Sequence, residues 1–217
     1  IDKAIKDRKS ILFEGAQGTL LDIDHGTYPF VTSSNTSSGN AAIGSGVGPK
    51  NIDRIVGVTK AYISRVGSGP FVTEQKNEIG DYLIEKGAEF GVVTGRRRRC
   101  GWLDLVSLKY SVRVNSLTEL FITKLDVLSG LEELQLCIGY KTENKVITDY
   151  PYELTTLESA EPVYETFGGW SENISSIKNY EDLPENAKTY LKAIEDFIEV
   201  PITFISVGPE RTENIII

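Results

Sequence analysis

Short apolar runs alternate along the chain with longer amphipathic stretches. Uniformly apolar runs bounded by glycine, proline or polar residues are typical of strands, and we expect strands at 10–13, 71–72, 120–123 and 201–209. Because every position of 120–123 favours burial, we expect that strand to be covered on both faces. Apolar residues at helical spacing predict helices over 51–63, 78–86, 102–114 and 184–200.

Two further runs, 134–140 and 145–148, are joined by a polar turn at 142–144 and predict an antiparallel hairpin. The alternation of strands with helices elsewhere indicates an α/β fold. We therefore predict a mainly parallel central sheet flanked by helices, with a small antiparallel hairpin near the C-terminal third. Residues 1–217 are predicted to form a single α/β domain.

Residues 26–49 are rich in glycine, serine, threonine and asparagine. A flexible linker has a similar composition. The apolar residues of 28–31 and 41–43 serve no purpose in a linker, and they favour an ordered loop that offers hydroxyl and amide groups to a ligand.

Composition narrows the class of protein. The 217 residues are 40% hydrophobic and 25% charged, with net charge −8, and no apolar run is long enough to cross a membrane. The start shows no signal-peptide pattern, and two cysteines with one histidine form no metal-binding spacing. We expect a cytoplasmic protein without membrane association. Ile1 is not an initiator residue and 1–7 resembles the middle of a charged helix, so we expect a piece of a longer chain.

Four consecutive arginines, Arg96 to Arg99, follow Thr94-Gly95 in this acidic chain. Guanidinium groups bind carboxylates and phosphates through two parallel hydrogen bonds, and successive side chains of an extended loop alternate in direction. Arg96 and Arg98 are therefore the natural pair for one small anion. The alternative is a solvated basic patch or a nucleic-acid site, but a nucleic-acid binder is normally basic overall.

Unusual polar sequences follow four of the predicted strands, at 14–18, in the arginine loop, at 123–126 and at 206–209, and ligands bind at such carboxyl ends in parallel sheets. Asp126 could accept two hydrogen bonds from the adjacent N–H groups of guanine, while the stem of Lys124 covers the base. Adenine lacks that donor pair. The alternative is a strand end with two solvated charges. Gln17, in the turn after 10–13, could hold an oxygen and an N–H of one ligand.

Several segments together resemble the adenylosuccinate synthetases. The matching segments are Phe13-Glu14-Gly15-Ala16-Gln17-Gly18, residues 21–36, Val93-Thr94-Gly95 with Arg96 to Arg99, Thr123-Lys124-Leu125-Asp126-Val127-Leu128 and residues 206–213. They run in the family's order over nearly the whole chain. The resemblance implies a GTP-dependent carbon–nitrogen ligase that joins IMP and L-aspartate with Mg²⁺, forming a 6-phosphoryl-IMP intermediate and then adenylosuccinate, GDP and phosphate in AMP biosynthesis.

The resemblance also implies roles for individual residues. Gln17 would contact the hypoxanthine or its 6-phosphoryl oxygen, Thr32 the IMP phosphate, and the backbone at Val66 the IMP ribose. The aspartate-binding loop would comprise Val93, Thr94, Gly95, Arg96, Arg97 and Arg98, with Arg96 also beside the IMP ribose and Arg98 also beside GTP. GTP would be bound by Lys124, Leu125, Asp126, Ser206, Val207, Gly208 and Pro209.

The family's glycine-rich phosphate loop, its general base and its general-acid histidine have no counterpart in this sequence, and His25 is not that histidine. The resemblance therefore implies that these residues are the C-terminal portion of a synthetase that forms homodimers, that the Mg²⁺ ligands lie elsewhere, and that this portion alone is inactive. A non-catalytic guanine-nucleotide-binding module is the alternative. RNA binding through Arg96 to Arg99 is a third.

Overall fold

The computed structural model describes residues 1–91, 95–143 and 145–217. Its helices are α1 (Asp2–Lys6), α2 (Gly39–Ser45), α3 (Glu78–Lys86), α4 (Leu105–Asn115), α5 (Leu154–Ser159) and α6 (Glu185–Ile198). Its strands are β1 (Val56–Lys60), β2 (Ile63–Arg65), β3 (Arg99–Gly101), β4 (Leu103–Asp104), β5 (Glu119–Thr123), β6 (Glu133–Lys141), β7 (Val146–Ile147), β8 (Glu161–Gly168), β9 (Ile202–Ser206) and β10 (Asn214–Ile216). Single 3-10 turns lie at Thr19–Leu21, Pro49–Asn51, Leu125–Leu128 and Tyr180–Asp182.

A four-stranded sheet in the order β1-β5-β9-β10 places the candidate site. The first three strands are parallel and β10 runs antiparallel to β9. The carboxyl ends of β1, β5 and β9 therefore lie along one edge of the sheet. This confirms the predicted α/β fold with a mainly parallel sheet flanked by helices.

A second sheet contains the predicted hairpin. β6 pairs antiparallel with β7, which confirms the two arms, while Asn144 of the predicted turn lies outside the described residues. β8 is the longer antiparallel partner of β6, and β4 joins the same sheet parallel to β6. β3 pairs separately with β2 in a two-stranded sheet.

The main core lies against one face of the four-stranded sheet. Leu120, Ile122 and Ile205 are fully buried there, with the apolar faces of α4 and α6 in the same cluster. α6 has a strong amphipathic pattern, and its buried Tyr190 donates a hydrogen bond to the Ala61 carbonyl oxygen at 2.7 Å. α3 and α6 begin and end close to the predicted limits, and α3 is followed by Gly87 as expected.

The other face of the sheet corrects the prediction that β5 is covered on both sides. Pairing registers align Val58, Phe121, Phe204 and Ile216 across the four strands. Val58 and Ile216 are 69% and 78% exposed, and the stacked rings of Phe121 and Phe204 are only partly buried. We call this set the apolar row.

Three other local predictions are wrong. Residues 10–13 form no strand, since no described strand pairs with them and Leu12 is 89% exposed. The helix predicted over 51–63 is replaced by β1, because β-branched Val56 and Val58 belong to a strand that pairs with distant β5. Residues 71–72 lie in a turn beside an isolated bridge between Glu74 and Gly101.

Some elements differ from their predicted limits, and others were not predicted. The helix predicted over 102–114 begins later, at Leu105, because residues 103–104 form β4 and Asp104 caps the helix. The strand at 201–209 is not the last one, since β10 follows it. Helix α2 and strand β8 were not anticipated from the pattern. Among the described residues, no helix has the combined length and apolar character needed to cross a membrane.

Candidate functional site

The carboxyl ends of neighbouring β5 and β9 bring two of the predicted segments together. Lys124 follows β5 directly with φ 59°, a left-handed conformation, and starts the turn that contains Asp126. Asp126 is half-buried. Burial raises the pKa of its carboxyl, nearby Lys124 opposes that shift, and Glu213 of the turn after β9 adds to it. The site therefore carries a partly exposed carboxylate between two turns.

Glu213 shapes the turn after β9. Its backbone carbonyl oxygen accepts a hydrogen bond from the Val207 N–H at 2.9 Å, and its side chain accepts one from the Glu210 N–H at 2.8 Å. Gly208 lies so close that an added Cβ would meet a carboxylate oxygen of Glu213 at 2.3 Å. The Ser206 hydroxyl donates to the Gly208 carbonyl oxygen at 2.9 Å. A larger residue at 208 would displace this carboxylate, which is the acceptor for the Glu210 N–H.

The side chains of the arginine run point to different partners. Arg99 makes a bidentate pair with Glu74 at 2.8 and 2.6 Å, and its Nη1 donates to the Gly67 and Gly69 carbonyl oxygens. Arg97 pairs with Asp81 at 2.5 Å on the surface of α3. These two side chains brace the protein.

Arg98 turns inward. Its Nη1 donates to Glu89 Oε2 at 2.7 Å, and its backbone N–H donates to the Glu89 carbonyl oxygen at 2.9 Å. Arg96 is exposed, and its carbonyl oxygen accepts the Gly91 N–H at 2.8 Å. Gly95, with φ 62°, closes the loop through a 2.7 Å bond to Gly91. The Arg98 side chain therefore points inward, whereas the side chains of Arg97 and Arg99 brace the protein. For residues 97 and 98 this is the alternation of side-chain direction that the sequence predicts.

A buried carboxylate joins the two predicted subsites. Glu89 is fully buried, and its Oε1 accepts hydrogen bonds from Lys60 at 2.7 Å, Tyr62 at 2.5 Å and Lys124 at 3.2 Å. Burial alone would raise the pKa of Glu89, but the hydrogen bonds from Lys60, Tyr62 and Arg98 outweigh it and lower that pKa to about 2. The carboxylate is therefore ionised at neutral pH. We call Glu89 with Lys60, Tyr62, Arg98 and Lys124 the Glu89 cluster.

Sequence reasoning missed Glu89, Lys60 and Tyr62. A carboxylate placed between Ala88 and Phe90, shortly before a run of arginines, was the available signal, because a buried charge needs an opposite charge. Lys60 could not be placed because 51–63 was predicted as a helix; in the structure it ends β1 beside the end of β5, where the Ala61 N–H donates to the Thr123 carbonyl oxygen at 2.8 Å.

Thr32 and Val66, two of the residues expected to contact IMP, lie in segments that are joined by Arg65. Its Nη2 donates to the Thr27 hydroxyl at 2.8 Å and to the Phe30 carbonyl oxygen at 3.1 Å, which ties β2 to the loop that carries Thr32. Thr32 is partly buried, with its N–H bonded to the Leu21 carbonyl oxygen, and Val66 is 63% exposed just past Arg65. The Arg65 bonds thus draw Val66 and Thr32 towards each other.

Gln17 is exposed and has a left-handed backbone, φ 63°. Residues other than glycine adopt this conformation uncommonly, and such residues cluster at functional sites. Gln17 precedes the turn whose Gly18 carbonyl oxygen accepts the Thr36 hydroxyl at 2.8 Å. This bond ties the Gln17 segment to the 26–49 loop.

The other predicted site residues differ in whether the structure describes them and in how exposed they are. Val93 and Thr94 lie outside the described residues. Leu125 and Val207 are fully buried, so only their backbone groups could meet a ligand, whereas Pro209 is exposed. Within 1–91, 95–143 and 145–217, no group of three or more His, Cys, Asp or Glu residues could hold a metal ion.

Comparison with known proteins identifies the family of this chain. The sequence model described as adenylosuccinate synthetase matches residues 1–215. The chain is 58% identical to the adenylosuccinate synthetase of Thermodesulfovibrio yellowstonii over 216 residues, which are 100% of this chain and 51% of that protein. The Halothermothrix orenii synthetase is also 58% identical, over 99% of this chain and 50% of its own length.

A solved structure gives the same result. The fully ligated adenylosuccinate synthetase from Plasmodium falciparum matches with a TM-score of 0.97 and 47% identity, over 100% of this chain and 52% of that one. The chain spans about half the length of the curated relatives it matches. It belongs to the adenylosuccinate synthetase family, ligases of purine and AMP biosynthesis.

Proposed function

We propose that this chain supplies the guanine-binding and aspartate-binding part of an adenylosuccinate synthetase. In the proposed reaction the γ-phosphoryl group of GTP passes to the 6-oxygen of IMP. The amine of L-aspartate then attacks C6 and expels phosphate, which leaves adenylosuccinate and GDP. The observation that carries the proposal is that Arg98 and Lys124, from two separate loops, contact one buried carboxylate at the carboxyl edge of the sheet.

The guanine subsite is proposed at the ends of β5 and β9. Asp126 accepts the paired N–H donors of the base, and the Lys124 stem lies along its face. Ser206, Gly208 and Pro209 close the other side, with backbone contributions from Leu125 and Val207. The half-buried position of Asp126 supports this role, because a carboxylate partly shielded from water discriminates better than a solvated one.

The aspartate subsite is proposed in the loop 93–98. Arg98 lies between aspartate and GTP, and Arg96 lies between aspartate and the IMP ribose. IMP is held by Gln17, by Thr32 at its phosphate and by the backbone at Val66. Arg97 belongs to the same loop, and its pairing with Asp81 gives it a bracing role at its edge.

The remaining expectations stay proposals. The enzyme is cytoplasmic and forms homodimers. Mg²⁺ assists phosphoryl transfer by neutralising phosphate charge, through ligands other than the described residues. This chain binds nucleotide but does not by itself turn over substrates.

The guanine subsite is tested by calorimetric titration of the chain with GTP and with ATP. We expect GTP to bind at least about tenfold more tightly, since adenine leaves the half-buried Asp126 acceptor unpaired. Asp126→Ala should abolish the preference. Asp53→Ala is the matched control, because Asp53 is an exposed carboxylate ahead of the amino end of β1 in the same sheet. Equal binding of the two nucleotides by the unaltered chain would refute the subsite.

The reaction is tested in a chimera in which this chain replaces the matching 216 residues of the T. yellowstonii relative. We expect adenylosuccinate to form from IMP, aspartate and GTP. Arg96→Leu and Arg98→Leu should each raise the KM for aspartate about tenfold or more, the cost of a lost charged hydrogen bond. The KM for IMP should change far less. An inactive chimera, beside an active T. yellowstonii parent, would contradict the proposed reaction, while unchanged aspartate dependence in both variants would contradict the loop assignment.

The chief alternative is a guanine-nucleotide-binding module without catalysis. It predicts GTP selectivity in the titration together with an inactive chimera. RNA binding through the arginine run predicts affinity for any RNA sequence that falls steeply with salt. The inward and surface ion pairs of Arg97, Arg98 and Arg99 already occupy much of that charge.

A further inference from the structure

Glu89 is the common partner of three cations that come from three different parts of the chain. Lys60 ends β1, Lys124 follows β5, and Arg98 belongs to the arginine loop. The side chain of Glu89 is fully buried, whereas those of Lys60, Arg98 and Lys124 are 25%, 29% and 35% exposed. Each cation is therefore partly exposed at the site and is held by the same buried Glu89 carboxylate.

The charges of this cluster do not cancel. One carboxylate faces three cations, which leaves two surplus positive charges within the Glu89 cluster itself, with the carboxyl group of Asp126 close to Lys124. Partly exposed cations that share one counter-ion retain donors for a further anion. Phosphate and carboxylate groups fit such a surplus.

Arg98 is held differently from its neighbour Arg99. Arg99 has a bidentate pair with Glu74, which fixes its guanidinium in one orientation. Arg98 contacts Glu89 through Nη1, and its buried Nε has no hydrogen-bond partner among the described residues. With one side-chain hydrogen bond among the described residues, the Arg98 guanidinium is less constrained than that of Arg99 and has a donor left for a ligand.

The backbone around Glu89 also accepts hydrogen bonds from Arg98 and Lys124. The Arg98 N–H donates to the Glu89 carbonyl oxygen at 2.9 Å, and Lys124 Nζ donates to the Gly87 carbonyl oxygen at 2.5 Å. A displacement of the Arg98 backbone or of the Lys124 side chain is therefore transmitted to the three-residue segment 87–89. That segment connects the two loops through hydrogen bonds.

We infer that Glu89 is a positioning residue that couples the aspartate and guanine subsites by holding Arg98 and Lys124 on one carboxylate. This inference rests on the proposed function of those subsites. Guanine nucleotide that immobilises Lys124 leaves Glu89 oriented towards Arg98, so aspartate meets an Arg98 already in place. By linkage, aspartate improves nucleotide binding by the same factor.

The test uses the chimera with Glu89→Gln and measures aspartate affinity by calorimetry, with IMP present, in the absence and presence of GDP. We expect GDP to tighten aspartate binding several-fold, within the range of about 5 to 150-fold common for coupled sites. In Glu89→Gln that ratio should fall towards one. The KM for aspartate and for GTP should rise together by about tenfold, as for loss of a charged hydrogen bond.

Glu74→Gln is the matched control. Glu74 also pairs with an arginine of the same run, but it contacts neither Arg98 nor Lys124 in any bond described above. It should lower thermal stability and leave the GDP effect on aspartate intact. An equal loss of coupling in both variants would reduce Glu89 to a structural brace and overturn the inference.

If Glu89→Gln does not fold, Glu89→Asp is the variant that tests the coupling. It keeps the charge but withdraws it by one methylene group, so both KM values should rise in parallel while folding is retained. A rise in only one KM, or an unchanged GDP effect in either folded variant, would overturn the inference. An inactive unaltered chimera would instead contradict the proposed function, so the two failures are distinguishable.

Discussion

Arg97 and Arg99 are separated by one residue, yet their ion pairs differ in exposure. The Arg97 and Asp81 side chains are 48% and 67% exposed, whereas those of Arg99 and Glu74 are 30% and 14% exposed. Exposed pairs contribute little because water and salt screen them. The Arg99 guanidinium also donates hydrogen bonds to the Gly67 and Gly69 carbonyl oxygens, in the turn after Val66.

We therefore predict that Arg99→Leu lowers the free energy of unfolding by about 2 kcal/mol, since it leaves the largely buried Glu74 carboxylate with the exposed Lys76, at 3.6 Å, as its remaining ion-pair partner among the described residues. Arg97→Leu should change that free energy by less than about 0.5 kcal/mol. Urea unfolding followed by circular dichroism measures both. Losses of equal size would show that the two pairs are equivalent.

Asp104 is a buried carboxyl group at the start of α4. It accepts hydrogen bonds from the N–H groups of Val106 and Ser107, at 3.1 and 3.2 Å, and from the hydroxyl of Tyr140. Burial nevertheless raises the pKa of Asp104 from its ordinary 3.8 to about 6. Between these values the folded protein holds a proton that the unfolded chain has released.

The stability contribution of Asp104 is therefore present below pH 3.8 and is lost as the pH rises through 6. The loss amounts to about 3 kcal/mol for a shift of this size. Asparagine also caps helices but carries no titrating proton. We predict that Asp104→Asn removes this part of the pH dependence, so that the difference in unfolding free energy between the two proteins changes across pH 4 to 6. Parallel curves would contradict the raised pKa.

At the scale of elements, one side chain organises the loop from Asp22 to Ser37. The fully buried Asp22 carboxylate accepts N–H groups of Asp24 and His25 through Oδ1, and of Thr36 and Ser37 through Oδ2. Burial would raise the pKa of Asp22, but these backbone hydrogen bonds outweigh it and hold that pKa well below its usual range. The loop contains Thr32, so its shape positions the proposed IMP phosphate contact.

Asp22→Ala should leave four backbone donors unsatisfied and lower the free energy of unfolding by about 4 kcal/mol. Hydrogen exchange should speed up at the amides of 24, 25, 36 and 37. Asp24→Ala is the control, because exposed Asp24 contacts Asn35 at 2.6 Å and holds none of these amides. Unchanged exchange in Asp22→Ala would show that the loop is held by other contacts.

The elements also show what sequence patterns can and cannot predict. α3 and α6 were predictable because their caps and apolar stripes are local. β1 was mistaken for a helix because Ile52, Ile55 and Val56 also fit helical spacing, and its partner β5 lies far along the chain. The proximity of Asp126 to the turn after β9 followed from the parallel-strand rule, whereas Glu89 looked like an ordinary loop carboxylate until folding buried it.

At the scale of the whole molecule, the four-stranded sheet has one packed and one open face. Leu120, Ile122 and Ile205 fill the packed face, whereas the apolar row of Val58, Phe121, Phe204 and Ile216 faces outward. A row that crosses four strands is a contiguous apolar patch, unlike a single exposed valine. Such patches bind hydrophobic dyes and promote association.

We predict that the 217-residue chain binds 8-anilinonaphthalene-1-sulfonate in its folded state and that Val58→Lys with Ile216→Lys reduces the dye fluorescence by about half or more. Both side chains lie on outer strands and are largely exposed, so lysine there buries no charge and the free energy of unfolding should hardly change. Fluorescence titration and urea unfolding of the same samples give both quantities.

Val146→Lys separates the row from exposed valines in general. Val146 is 55% exposed on β7 of the other sheet, away from the apolar row, so this variant should keep the dye signal. If all variants lose the signal equally, the dye reports total surface hydrophobicity and not this face. If the double lysine variant keeps the signal while remaining folded, the row is not the patch that the dye detects. Comparing the dye signal of lysine variants at Val58 and at Val146, which lie in different sheets, therefore shows whether the dye binds the open face.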